Sequence, residues 1–189
     1  MPTLRRYLSL CALLFWQGGF LFYGLVVIPI GLHVLSDQVH RQARITDSAT
    51  SWLNWFGLVA LALLLWDVAV SPDPSRRRYK ARGLSWAVLF VTLAALFGLH
   101  YWLDVLNPPQ GSGPTDLTMF QVAHNLYVGV SAAQWVAGLI HLGLTVSAWR
   151  GEDGKSRDSA AAPWRAAETK MAEQKGVRGE GVVEKRKEG

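Results

Sequence analysis

Apolar residues along this chain collect into four long runs, at residues 7–31, 52–70, 83–104 and 126–149, with the charged residues between and after them. Each run is long enough to cross a hydrocarbon core of about 30 Å, which takes roughly 20 helical residues. Lipid offers no water to satisfy backbone N–H and C=O groups, so a run that crosses it must bond within itself as a helix. The connections are short, which makes consecutive spans antiparallel neighbours. The pattern predicts an all-α integral membrane four-helix bundle, up-down-up-down, over residues 1–150, and a charged, disordered tail over residues 151–189.

The charges orient that bundle. Arg5 and Arg6, then Arg76, Arg77, Arg78, Lys80 and Arg82, then every basic residue from Arg150 onward share one side, and Arg41 and Arg44 fall on the other. Basic residues in short loops stay in the cytoplasm. The expectation is a multi-pass protein of the cytoplasmic (inner) membrane with both termini cytoplasmic. Trp52, Trp55, Trp66, Trp86, Tyr101, Trp102 and Trp149 stand near the ends of the runs, where an apolar ring with a polar tip suits the headgroup level.

Breakers mark the connections. Residues 33–51 read as an outer loop or a short interfacial helix, and Ser71-Pro-Asp-Pro-Ser75 as a turn, because its prolines resist helix and Asp73 can bond local backbone. Residues 107–114 hold three prolines and two glycines and read as a flexible outer loop. Beyond Trp149 large apolar residues become scarce, so the tail cannot bury enough surface to offset its ordering entropy. A short helix over residues 163–174, resting on the membrane by Trp164 and Met171, is its one expected element.

Composition adds little to this picture. Half the residues are hydrophobic, yet the mean hydropathy is only +0.16, because the tail dilutes the spans. The net charge of +5 and pI of 9.6 come from basic residues beside the spans, so they do not point to nucleic acid. Residues 76–82 can attract anionic headgroups. Cys11 is the sole cysteine, which rules out an intramolecular disulfide. Arg5 and Arg6 precede the first run as a signal's basic region would, but the run exceeds the usual 7–15-residue signal core and ends without a small-x-small site. It reads as a retained span.

Span four carries the clearest polar pattern. His124, Ser131, Gly138 and Thr145 recur every seven residues, interleaved with Tyr127, Gln134, His141 and Ala148, and Gln17, Gly24 and Gly31 echo them in span one. Such a stripe faces other helices, because small residues let backbones approach and polar groups seek partners. It packs helices, or it lines a path for substrate or cofactor.

Two sets of ionisable residues are candidates for chemistry. On the outer side, His33, His100 and His124 fall at similar depth, with Asp104 one helical turn beyond His100. Imidazoles with a carboxylate suit zinc or copper, and His100 with His124 could ligate a haem iron axially. The alternative is hydrated interface histidines. On the inner side, Asp67 of span two and His141 of span four form an intramembrane polar pair. Ionisable residues inside a span are costly, usually pair, and mark ion or proton routes. Asp67 could instead meet the arginines of residues 76–82, and His141 could bond Gln134, Thr92 or Asp67. The sequence holds no glycine-rich phosphate loop, no Gly-x-Ser-x-Gly elbow and no His-Glu-x-x-His. It names no catalytic residue.

Phe15-Trp-Gln-Gly-Gly19, followed by Phe22 and Pro29, resembles the first helix of a four-span family of unknown function that includes the transmembrane-protein-205-like proteins. The opening of span four, Phe120-x-x-x-His124-x-x-Tyr127-x-x-x-Ser131, is similar to that family's Arg/Phe-x-x-x-His-x-x-Ser-x-x-x-Asn pattern, with Tyr127 and Ser131 departing from it. The resemblance implies a four-helix bundle with a loosely defined role. A looser similarity to copper-resistance and cytochrome-b-like membrane bundles, in helix count and histidine placement, implies haem b or copper as cofactor. Three functions stand open: a non-enzymatic structural or accessory bundle, a haem- or copper-binding redox protein using the outer histidines, and a small proton-linked solute or metal transporter using Asp67 and His141. The expected partners are the lipid bilayer and a second copy or membrane protein seated on the small-residue faces.

Overall fold

Helix follows helix along the described residues. The computed structural model describes residues 2–35, 39–71, 73, 75–107 and 114–184. In order these form α1 (Pro2–Phe22), a π-helical turn (Tyr23–Val27), α2 (Ile28–Val34), α3 (Val39–Val70), α4 (Arg76–Leu106) and α5 (Leu117–Glu184). Four helical stretches, Thr3–Val34, Arg41–Val70, Arg76–Leu106 and Leu117–Met171, are long and apolar enough to cross a membrane. The chain divides into two units, residues 1–148 and 149–189.

Local chemistry sets the ends and breaks of these helices. Pro29 has no N–H to donate, and its ring crowds the carbonyl four residues back. The π turn just before it widens the helix: the Ile28 N–H reaches the Tyr23 carbonyl, five residues back, and α2 resumes with Pro29 in its first turn. Ser75 caps α4 by accepting the Arg78 N–H at 3.4 Å. Asp73 accepts the Ser75 N–H at 2.9 Å and takes Nε and Nη2 of Arg78, each at 2.8 Å. Asp116 caps α5 by accepting the Met119 N–H at 3.0 Å. The Thr115 N–H donates to the Leu106 carbonyl at 2.9 Å, bringing the ends of that connection together.

Every predicted span extends beyond its apolar run. Hydropathy finds the lipid-facing stretch, whereas propensity and caps decide where the helix stops. The expected outer loop over residues 33–51 is therefore largely the first turns of α3, and the basic residues from Arg76 to Arg82 are the first turns of α4. Of the expected turns, Pro72 and Pro74 and residues 108–113 lie outside the described residues. The tail is helical to Glu184, with Pro163 inside. Its Ala, Glu, Lys and Arg are strong helix formers even where there is no core to bury.

Burial is inverted relative to a water-soluble protein. Leu14, Phe15, Phe22, Leu25, Val59, Leu84, Val91 and Ile140 are exposed, while Arg5, Asn54, Asp67, Arg82, Gln134 and His141 are buried. That is the arrangement lipid selects, since hydrocarbon accepts leucine and charge retreats inward. The close helix pairs are α1 with α3 and α3 with α4. Between them lies an apolar cluster of Leu13, Trp16, Ala60, Leu61, Leu64, Leu89 and Leu93, with Ala137 from α5. Trp86, expected at the headgroup level, instead donates its indole N–H to the Leu61 carbonyl at 2.9 Å and ties α4 to α3.

Candidate functional site

Asp67 sits near the end of α3, at 1 % exposure, with cations from two other helices on it. Nε of Arg5 on α1 lies 2.8 Å from Oδ1, and Nη2 of Arg82 on α4 donates to Oδ2 at 2.7 Å. Ser71, one turn on, donates its hydroxyl to Oδ1 at 3.4 Å. The knot joins three helices through one carboxylate. Charge-assisted bonds of this length are among the stronger hydrogen bonds, and burial removes the water that would compete with them. Asp67 thus meets the basic segment, as one expectation had it. A second cation, Arg5, arrives from α1.

His141, fully buried on α5, reaches the same region by another route. Its Nδ1 lies 2.8 Å from Oγ of Ser85, and Ser85 donates to the Arg82 carbonyl at 2.9 Å. The expected partners of His141 were Gln134, Thr92 and Asp67. The Thr92 hydroxyl bonds the Val88 and Leu89 carbonyls of its own helix. Ser85 takes that place because it stands one turn after Arg82 on the inward face of α4, where Arg82, Ser85, Leu89, Leu93 and Leu96 are buried. Asp67 and His141 are therefore linked through Arg82 and Ser85.

The inward face of α5 is polar. Tyr127, Gln134, Gly138, His141, Thr145 and Ala148 are buried, whereas His124 is exposed and Ser131 half-buried. Of the two interleaved sevenfold series, the one through Tyr127, Gln134, His141 and Ala148 is buried throughout, the other only at Gly138 and Thr145. Gly138 makes room for Gln17: a Cβ there would lie 3.2 Å from the Gln17 side-chain carbonyl carbon. α5 is not among the close helix pairs, so it does not make the close backbone approach expected of a small-residue stripe.

Many of these groups lack hydrogen-bond partners among the described residues. They include Trp16 Nε1, Gln17 Nε2, both polar atoms of the Asn54 side chain, Gln134 Nε2, His141 Nε2, Thr145 Oγ1, and Nε and Nη1 of Arg82. The Tyr127 hydroxyl stands beside Asn54 and Thr50 without reaching bonding geometry. Each such group costs several kcal/mol in a dry interior. From Tyr127 to Thr145 the row extends about 27 Å along the α5 axis, close to the ~30 Å of a hydrocarbon core.

At the opposite end from the Asp67 knot, His100 Nε2 lies 3.1 Å from Oδ1 of Asp47 and 3.9 Å from Oδ2 of Asp104. These three residues, from α3 and α4, offer ligand atoms within 4.8 Å of one another. Of the sequence-derived set, His100 and Asp104 come together. His33 is exposed near the end of α2, and His124 is exposed with its ring stacked on Phe120. Neither joins the cluster. Asp47 escaped the sequence reading because it lies in the stretch read as an outer loop or a short interfacial helix. Arg5 and Ser85 were missed differently: Arg5 counted only as a topology signal, and a lone serine in an apolar run carries no pattern.

An open apolar groove of about 420 Å³ runs between α3 and α4, lined by Trp55, Leu58, Phe90, Leu93, Ala94 and Phe97. No protein-family model, curated protein or solved structure matches this chain.

Proposed function

We propose that this multi-pass bundle conducts protons, alone or with a small polar solute, along the seam between α5 and the other three spans. One observation carries the reading: a membrane-length row of buried polar side chains from four helices presents atoms with no hydrogen-bond partner among the described residues. Water or a polar solute is what such groups need. Of the expected pair, His141 belongs to this route. Asp67 does not, because two arginines hold its carboxylate. The charge distribution supports termini in the cytoplasm, which puts the Asp67 knot on that side of a cytoplasmic membrane.

Full-length protein reconstituted into liposomes with an internal pH dye tests the reading. An imposed potassium diffusion potential should drive proton entry above that of empty liposomes, and His141→Ala should remove most of it. Folded wild-type protein that passes no protons would overturn the proposal.

The knot itself favours a second reading, a non-enzymatic structural or accessory bundle of the kind implied by the likeness to the transmembrane-protein-205-like family. Gly18, Gly24, Gly129 and Gly143 would each accept a Cβ with nothing within 4 Å, which leaves small faces open toward lipid or a second copy. No proton flux, with Asp67→Asn destabilising the protein, is the outcome that favours this alternative.

A further inference from the structure

We propose that Ser85 fixes His141 in the tautomer that carries its hydrogen on Nδ1, leaving Nε2 as the proton-accepting atom of the seam. The inference rests on the conduction reading for its purpose, but its geometry is independent of it. Ser85 has one hydroxyl hydrogen and two neighbours in bonding range: the Arg82 carbonyl oxygen at 2.9 Å and His141 Nδ1 at 2.8 Å. A carbonyl oxygen can only accept, so both contacts are hydrogen bonds at once only when the hydrogen goes to Arg82. The Ser85 oxygen then accepts, and Nδ1 must be the donor. A neutral imidazole carries one N–H, so Nε2 is left with its lone pair.

That lone pair is buried and has no partner among the described residues. It projects from the α5 face that also carries Gln134, Gly138 and Thr145, with Gln17 of α1 against Gly138. The charged groups facing the imidazole are Arg82 from α4 and Asp67 from α3, and Arg5 of α1 is reached through Asp67. In the transfer step a protonated water (hydronium) in the seam gives its extra proton to Nε2 and is left as water, producing an imidazolium with hydrogen on both nitrogens. The same atom returns a proton to the next water. The Nδ1–H bond to Ser85 persists throughout, and no electron moves. Ser85 is a positioning residue: it aims the ring and selects which nitrogen is bare.

Nitrogen-15 solid-state NMR on histidine-labelled, full-length protein in liposomes tests this. The chain has five histidines, and His141 is identified by the signals lost in His141→Gln. Neutral wild-type His141 should show a protonated Nδ1 and a bare Nε2. Ser85→Ala should move the hydrogen to Nε2, and Ser85→Thr, which keeps a hydroxyl, should leave it on Nδ1. If His141→Gln does not fold, the one histidine whose signals exchange in Ser85→Ala serves as the assignment. Hydrogen on Nε2 in the wild type, or spectra that ignore Ser85→Ala, would overturn the proposal. In the flux assay Ser85→Ala should lower proton entry about tenfold or more, with Ser85→Thr near wild type. The expected tautomer in liposomes that pass no protons would remove the conduction reading and leave the positioning by Ser85 standing. Flux with the opposite tautomer would do the reverse.

Discussion

The indole of Trp16 fills the space that a side chain at position 57 would need: a Cβ built on Gly57 would lie 2.6 Å from Cε2 and 2.7 Å from Nε1 of the ring. Trp16 is fully buried between α1 and α3 and cannot swing aside as a flexible side chain would. Gly57→Ala should therefore lower the unfolding midpoint in detergent, at an overpacking cost of roughly 1–3 kcal/mol. Gly18→Ala is the control, since its Cβ would meet nothing within 4 Å. Equal midpoints for the two variants would show that Trp16 does not pack as described.

Removing the charge of Asp67 leaves Arg82 buried without its carboxylate. Asp67→Asn should cost roughly 3–5 kcal/mol, the range for breaking one side of a buried ion pair. The double variant Asp67→Leu with Arg82→Met removes both charges and should lose less than Asp67→Asn alone. Denaturant titration in mixed micelles, read by tryptophan fluorescence, gives both numbers. Additive losses would mean that the two residues act separately.

Purified protein should show no Soret band. A haem held by His100 and His124 needs both imidazoles on one iron, yet His100 Nε2 is turned to Asp47 and His124 is stacked, exposed, on Phe120. A Soret band lost in both His100→Ala and His124→Ala would reverse this assignment.

The connection before α4 should hold its order well into acid. The two hydrogen bonds from Arg78, chief among several causes, hold the Asp73 carboxyl below its ordinary value, and the Ser75 N–H adds to the effect. A carboxyl whose pKa is lowered by folding contributes stability that is complete above its unfolded value, about 3.9, and is lost as pH falls through the folded value. The stabilisation is thus constant between neutral pH and about 5 and fades only below about 4. Carbon-13 titration of the Asp73 carboxyl should give a depressed midpoint that returns toward the ordinary one in Arg78→Leu. The same midpoint in both proteins would sink the assignment.

The four spans were legible because lipid imposes a long apolar run on any helix that crosses it, and few other structures need one. Their ends were not: Ser75 caps a helix whose first turn is already polar, and Asp116 caps one that begins well before the apolar run at residue 126. Asp67 and His141 stood out as ionisable residues in apolar runs. The segment that holds Arg82 was one expected partner of Asp67, but Arg5 and Ser85 could not be read, because they come from other helices and one sequence does not give the rotation of a helix about its axis. The same ignorance hid which sevenfold series of α5 is buried throughout. Tyr127 and His124 are three residues apart, yet one is buried and the other exposed.

The wide turn at Tyr23–Val27 has a consequence for the register of the first span. A π turn adds one residue to the winding, and in an α-helix one residue is worth about 100° of rotation. Beyond Ile28 the chain therefore meets its neighbour with a different edge of its sequence, and Gly31 comes to lie against Gln42 of α3. Deleting a single residue from this turn would leave the length and greasiness of the span almost unchanged. It would swing Gly31 away from Gln42 and turn an ill-fitting edge toward α3, so one deletion here should do more harm than several substitutions on the lipid face.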